Sequence, residues 1–296
     1  MTYDVYTPLV LSLLLSAAGP LIARRAAPAL AARVLTSAAV LTAGATTWSL
    51  VLLAATLLGA APPVIREARE DGHPVTDPVP GAIGAAACLA LLAVGVRVYR
   101  AVRAERRTRR VLRRLCAGHP ADTELIVAAS EVPQAFAIPG RPGRILVTSA
   151  MLSALGPAER RVLLAHERAH LSHRHGSLVT AATLAVAADP LLRPVRSAIA
   201  FLVERWADEQ AASTVRDRRT AARALARAAL TAGRARACAL GFADRSVTRR
   251  IAALQTSPPP RLWPAAAGVL LLGALATLLA ADATGDLLRQ LSGALS

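Results

Sequence analysis

Two histidines four residues apart, with a glutamate beside the first, stand at His166-Glu167-Arg168-Ala169-His170. On a helix, residues i and i+4 lie one above the other, so the two imidazoles converge on one point. Such a pair can hold a zinc ion. Glu167 then reaches a water on the metal rather than the metal itself, where it acts as a general base. The lead-in, Ala158 to Ala165, is rich in helix formers; Pro157 suits a first helical turn and Glu159 lies near the positive end of the helix dipole. The plain alternative is a solvated helix face that happens to carry His and Glu.

A catalytic zinc takes three protein ligands and leaves a fourth position open. A histidine six residues after the second, with a glycine three before it, is the metzincin solution, and Gly176 and His173 at those places exclude it. Glu204-Arg205-Trp206-Ala207-Asp208 offers a carboxylate instead, with Asp208 one turn later on the same helix face. A carboxylate so placed can accept the other N–H of a zinc-bound imidazole and fix its tautomer. Glu204 is therefore the candidate third ligand and Asp208 the candidate partner behind a ligand. An ordinary surface Glu/Asp pair on an Arg-rich helix is the competing reading. His173 also lies roughly on the metal-facing side, although a solvated helix end suits it as well.

HExxH followed by ExxxD, preceded by Ala135-Phe136-Ala137-Ile138-Pro139-Gly140 and Arg144 to Ser149, resembles the membrane-embedded gluzincins. These are the HtpX-like and CAAX prenyl proteases and, closer still, the BlaR/MecR-type antirepressor peptidases. The motifs span roughly residues 120 to 212. The resemblance implies one Zn2+ per chain on His166, His170 and Glu204, Glu167 as base and a protein or peptide substrate. It also implies that the 135–140 stretch and the strand after it border the cleft, where an extended peptide can pair with a sheet edge. Gln134 stands where HtpX-type relatives often carry Asn, a departure that leaves the zinc chemistry untouched.

Those residues must be positioned by an unusual chain. Hydrophobic residues make up 54% of it and aromatic residues only 3%, gathered into uncharged runs at Val5–Ala23, Val34–Ala61, Val79–Val96 and Leu262–Ala281. Each is long enough to cross a hydrocarbon core of roughly 30 Å as a helix. The first run lacks a positive n-region and is followed by Arg24 and Arg25, which argues for an anchor rather than a signal peptide. Residues 24–33 carry only Arg24, Arg25 and Arg33. Residues 62–78 are net acidic, and nine arginines between Arg97 and Arg114 face a single Glu105. Positive loops stay cytoplasmic, so the expected order is N-terminus outside, peptidase domain in the cytoplasm and a last span returning outward.

The expected fold is thus an integral membrane α-helical protein with a cytoplasmic α+β gluzincin (zincin-like) domain. Residues 1–100 hold three spans, 101–261 the metallopeptidase domain, 262–281 a fourth span and 282–296 a short extracytoplasmic tail. Within the domain, Glu124–Ala129 and Arg144–Thr148 read as strands, 150–175 as helical and 216–239 as an exposed Ala/Arg helix or two. Residues 176–203, uncharged over Gly176–Ala188, read as an amphipathic or re-entrant pair at the cytoplasmic membrane face.

The formal net charge of +16 raises nucleic-acid binding as a class. Yet the basic cluster abuts a span, where it sets orientation and meets anionic headgroups of the bilayer, so direct nucleic-acid binding is not expected. An all-Arg basic complement in an Ala-rich chain points to a GC-rich bacterial genome, and the apolar runs to the cell membrane. Cys88, Cys116 and Cys238 form no CxxC pair and read as small packing residues. Three functions compete. One is an endopeptidase acting on a cytoplasmic regulator such as a winged-helix repressor, which the resemblance implies. Another is HtpX-like quality control, and the last a non-catalytic receptor or scaffold. BlaR-like sensors carry a penicillin-binding domain after the last span, for which the 15 or so residues there leave no room.

Overall fold

The computed structural model describes residues 7–59, 80–120, 122–235 and 242–256, with the isolated helical positions 268, 271, 274 and 278. The acidic 62–78 loop, Cys238, the 282–296 tail and all but those four positions of the expected fourth span lie outside the described residues.

Among the described residues, three helices are long and apolar enough to cross a membrane: α1 (Thr7–Arg25), α2 (Pro28–Gly59) and α3 (Gly81–Leu115). Their Ala, Gly, Ser and Thr content lets backbones approach closely where large side chains would hold them apart. At Gly84 of α3 a Cβ would stand 2.6 Å from Leu57 Cγ of α2, so the missing side chain permits that contact. Hydroxyls inside α2 are satisfied locally: Thr36 donates to the Ala32 carbonyl and Thr47 to that of Ala43.

Two boundaries differ from the sequence expectation. The second helix starts at Pro28, so Arg33 is a helical residue and not a loop charge. Proline at a helix start lacks only an N–H that has no partner there anyway. The third apolar run and the basic stretch after it form one continuous helix, because nothing between Val96 and Leu115 breaks it. Cys88 is exposed on α3 rather than packed, whereas Cys116 packs beside Ile126, Ile138 and Leu146.

A three-stranded sheet follows, made of β1 (Leu125–Ala128), β2 (Ala135–Ile138) and β3 (Arg144–Thr148). Its order is β1-β3-β2, with β1 parallel and β2 antiparallel to β3, Phe136 opposite Leu146. Ile145 and Val147 of the central strand are fully buried, as a central strand covered on a face requires. Thr148 closes β3 and caps α4 (Ser149–Ala154), its side chain accepting from the Met151 N–H.

Helix α5 (Pro157–Ser172) carries the HExxH residues. Pro157 occupies its first turn, and Glu159 Oε2 accepts from the Gly156 N–H at 2.8 Å. The chain then turns at Arg174, whose φ of 52° is left-handed, into α6 (His175–Ala188). A short 3-10 turn at Pro190–Leu192 leads into α7 (Arg193–Val215). Residues 176–203 therefore belong to a helical hairpin whose second arm runs unbroken past Glu204. The hairpin is not peripheral. Ala182, Ala185, Val195, Ile199 and Leu202 share one core with Ala31, Leu35 and Ala38 of α2. Its tip is held by Asp189, which accepts from Ser12 of α1, Thr46 of α2 and the Leu191 N–H.

Helices α8 (Arg218–Ala235) and α9 (Phe242–Gln255) pack on α5 and α7 through Ala221, Ala222, Ala224 and Leu254. The charges of α8 are not simply a solvated face. Arg218 pairs with Glu209 and donates to the Ala253, Leu254 and Thr256 carbonyls that end α9, while Arg227 meets Glu159.

Candidate metal centre

Helices α5 and α7 cross, and the crossing brings three ligand-type side chains together. His166 Nε2 and His170 Nε2 are 3.1 Å apart, and each lies 3.6 Å from an oxygen of Glu204. All three ligand atoms fall within 4.8 Å of one another. A tetrahedral zinc with bonds near 2.0–2.1 Å sets its ligand atoms ~3.3 Å apart, so the spacing suits such an ion. The donor set agrees, since two imidazoles and one carboxylate are common zinc ligands and leave a fourth position free.

Behind His166, its Nδ1 lies 3.1 Å from Asp208 Oδ1. Asp208 is itself gripped by Arg250 of α9, with Nε donating at 2.7 Å and Nη2 at 2.8 Å. Arg250 Nη1 also reaches Glu204 Oε2 at 2.9 Å. One guanidinium thus orients both carboxylates, and all three of its nitrogens are engaged. A planar five-donor fork can do this where an ammonium could not.

Behind His170 the arrangement is different. Its Nδ1 faces Nδ1 of His175 at 3.1 Å, and His175 is 1% exposed. The other His175 nitrogen, Nε2, is buried without a partner among the described residues. Trp206 covers this side: His173 stacks on it at 4.6 Å, His175 lies tilted against it at 4.5 Å, and Arg33 sits over its ring at 4.7 Å. His173 is therefore an aromatic packing residue, neither at the metal cluster nor a solvated helix end.

The electrostatics follow these neighbours. Burial disfavours a charged His166, but hydrogen bonds to Asp208 and Glu204 outweigh it and raise its pKa to about 10. Burial and the nearby His166 lower His170 to about 4, and burial with the neighbouring His170 lowers His175 to about 3. Glu204 is held down to about 2, against its burial, by His166, Arg250 and His170. Asp208 is also lowered, with Arg250 and His166 overcoming burial.

Glu167 projects from the same turn as His166 and is 7% exposed. Burial raises its pKa, while the Ala137 N–H of β2 hydrogen-bonds to its carboxylate. That amide points away from β3, because Ile145 opposite it donates to the Glu124 carbonyl on the β1 side, which makes Ala137–Ile145 a pair without mutual hydrogen bonds. A cleft of about 1400 Å³ opens in front of these groups, bordered by β2, the 139–144 turn, α5, the start of α6 and one face of α3.

Sequence reasoning names His166, Glu167, His170, Glu204 and Asp208, and the structure brings all five into one site. It misses Arg250 and His175. A half-buried pair of helix-borne imidazoles facing a carboxylate, with a second carboxyl group beside them at an outer strand, is an arrangement that could hold a metal ion. Residues 100–197 match the model of Peptidase family M48, a third of the chain that includes the HExxH helix and ends before Glu204. That match supports a protease function. Comparison with curated proteins and with solved structures gave no match.

Proposed function

We propose that the chain is a membrane-bound zinc endopeptidase whose metal ligands are His166, His170 and Glu204 and whose general base is Glu167. The observation that carries this reading is the convergence of those three ligand atoms within 4.8 Å, with Glu167 beside them in an open cleft. Zinc, when bound, supplies the Lewis acidity that brings a water's pKa towards ~7. Glu167 would accept a proton from water held there and return it to the departing amine. Its raised pKa suits both duties, since a general base works best with a pKa near the operating pH. Asp208 accepts the Nδ1–H of His166 and so points its Nε2 lone pair into the site. Arg250 keeps Asp208 and Glu204 ionised and aimed. An extended substrate would lie along β2, whose outer edge is next to Glu167.

The substrate reading is a cytoplasmic transcriptional repressor of winged-helix type, cut in response to a signal read by the spans. It is supported by the order of three apolar helices, basic helix and HExxH helix. The arginine-rich exit of α3 supports a cytoplasmic catalytic face. Reporter fusions after Arg103 and Arg250 should then both read cytoplasmic. Co-expression with a repressor encoded beside the gene should yield a repressor fragment, and Glu167→Gln should abolish it. An intact repressor, with misfolded membrane proteins accumulating in a deletion strain, would favour quality control instead.

A further inference from the structure

The cleft is not electrically even along its length. Two of the three carboxylates that line it are matched: Arg250 holds Glu204, and Arg109 holds Glu105 at 2.7 Å. At the end of the cleft beyond Ile138 the balance changes. Arg113 of α3, Arg141 of the turn after β2 and Arg174 of the turn after α5 all line it there. All three are exposed, and none has a carboxylate within ion-pair reach among the described residues.

Three links keep that rim in shape. Arg144, opposite Ile138 in the sheet, donates to the Cys116 and Pro120 carbonyls, tying the end of α3 to the strands. Leu112 and Cys116 of α3 pack against Ile138 and Phe136. Gly143 rests on Leu171 of α5, where a Cβ would stand 3.0 Å from Leu171 Cδ2. The three guanidinium groups are therefore carried by parts that are fixed to one another and to β2.

The arginines on the other side of α3 are a separate group. Arg103, Arg106, Arg107 and Arg110 surround a concavity of about 420 Å³ with Tyr99, away from the HExxH residues. That face suits lipid headgroups at the membrane exit of α3. The cleft-facing arginines look instead onto the path along β2.

We propose that this end of the cleft selects peptide segments carrying acidic side chains on one side of the bond to be cut. The inference rests on the peptidase reading above. A chain lying along β2 with its scissile bond by Glu167 must run one of its ends past Ile138, between Arg113, Arg141 and Arg174. Carboxylates there meet unmatched cations, whereas arginine or lysine side chains meet like charge. Exposed pairs of this kind contribute modestly each, so the preference is a sum over several contacts and weakens with salt.

The test uses zinc-loaded full-length protein and three peptides of one sequence. One has three Glu on the N-terminal side of the cleavage site, one has them on the C-terminal side, and one carries Gln throughout. One acidic peptide should be cut with a kcat/KM about ten-fold above the Gln peptide, and the advantage should shrink at high salt. Arg113→Gln and Arg141→Gln should each reduce the acidic-to-neutral ratio about three-fold. Equal kcat/KM for the three peptides would overturn the inference while leaving the peptidase reading intact. So would variants that lose binding to phosphatidylglycerol vesicles yet keep the peptide ratio. No cleavage of any peptide would overturn the peptidase reading, and this inference with it.

Discussion

The two candidate histidine ligands sit on one helix, four residues apart, yet the protein backs them in opposite ways. Behind His166 stands an ionic chain, Asp208 and then Arg250, which holds an extra proton on the imidazole. Behind His170 stands an aromatic wall of His175, His173 and Trp206, where a charge is unwelcome. The metal-free site thus keeps one charged and one neutral imidazole, 3.1 Å apart between their Nε2 atoms. Two protonated rings at that distance would repel. The asymmetry places the charged ring between the carboxylates of Asp208 and Glu204.

The largest effects should come from the ligands themselves. His166→Ala with His170→Ala should remove essentially all zinc from purified protein, measured as metal per chain against about one for the parent. Retention of zinc by the double variant would sink both halves of the comparison. Glu167→Gln, by contrast, should keep the zinc and lose cleavage of a casein-like substrate by several orders of magnitude. Wild-type rates in that variant would exclude Glu167 as the base.

The comparison is sharpened by cutting behind each histidine separately. Asp208→Asn should weaken zinc binding about 10- to 100-fold in a chelator competition, because His166 loses the carboxylate that fixes its ring. His175→Phe keeps an aromatic ring against Trp206 and removes both ring nitrogens, the one facing His170 and the unpartnered Nε2. Its loss should be smaller, roughly three- to ten-fold, with little change in melting temperature. Equal losses in the two variants would mean that the ionic and aromatic sides support the metal alike.

The smallest effect is a pH signature of the metal-free protein. His170, His175 and Glu204 have pKa values below their ordinary ones, so their stabilisation grows as pH rises from acid toward 6.5. His166 has a raised pKa, so its contribution is complete below 6.5 and is lost as pH climbs to about 10. Melting temperature should therefore peak near pH 6.5. Added zinc, which needs a deprotonated His166, should remove the alkaline decline. A decline that persists with zinc bound would have another origin.

How far these features can be read from residues alone depends on how local they are. His166, Glu167 and His170 declare themselves because helical spacing by itself makes them converge. Glu204 and Asp208 follow the same rule on a second helix. Arg250 does not, being one of 35 basic residues and brought to Asp208 only by the packing of α9 on α7. His175 is hidden for another reason. Five residues beyond His170 on a continuous helix points to the wrong side, and the left-handed turn at Arg174 redirects it. Long uncharged runs reveal the three long apolar helices, but composition places neither the start of the second at Pro28 nor the packing of the 175–215 hairpin against them. Ala-rich faces fit many partners, and only the assembled fold selects one.

Helix α7 joins the two kinds of region in a single rod. Val195, Ile199 and Leu202 lie in the core shared with α2, and Glu204 and Asp208 follow within the same unbroken helix. Nine residues separate Val195 from Glu204, about 13 Å at 1.5 Å per residue. A 5° tilt pivoting at Val195 would swing Glu204 by about 1 Å, a displacement that can change a catalytic rate about a hundred-fold. With Asp189 pinned to Ser12 and Thr46 at the base of that rod, the apolar helices act as the fulcrum of a lever that carries the candidate metal-binding carboxylate midway along its length.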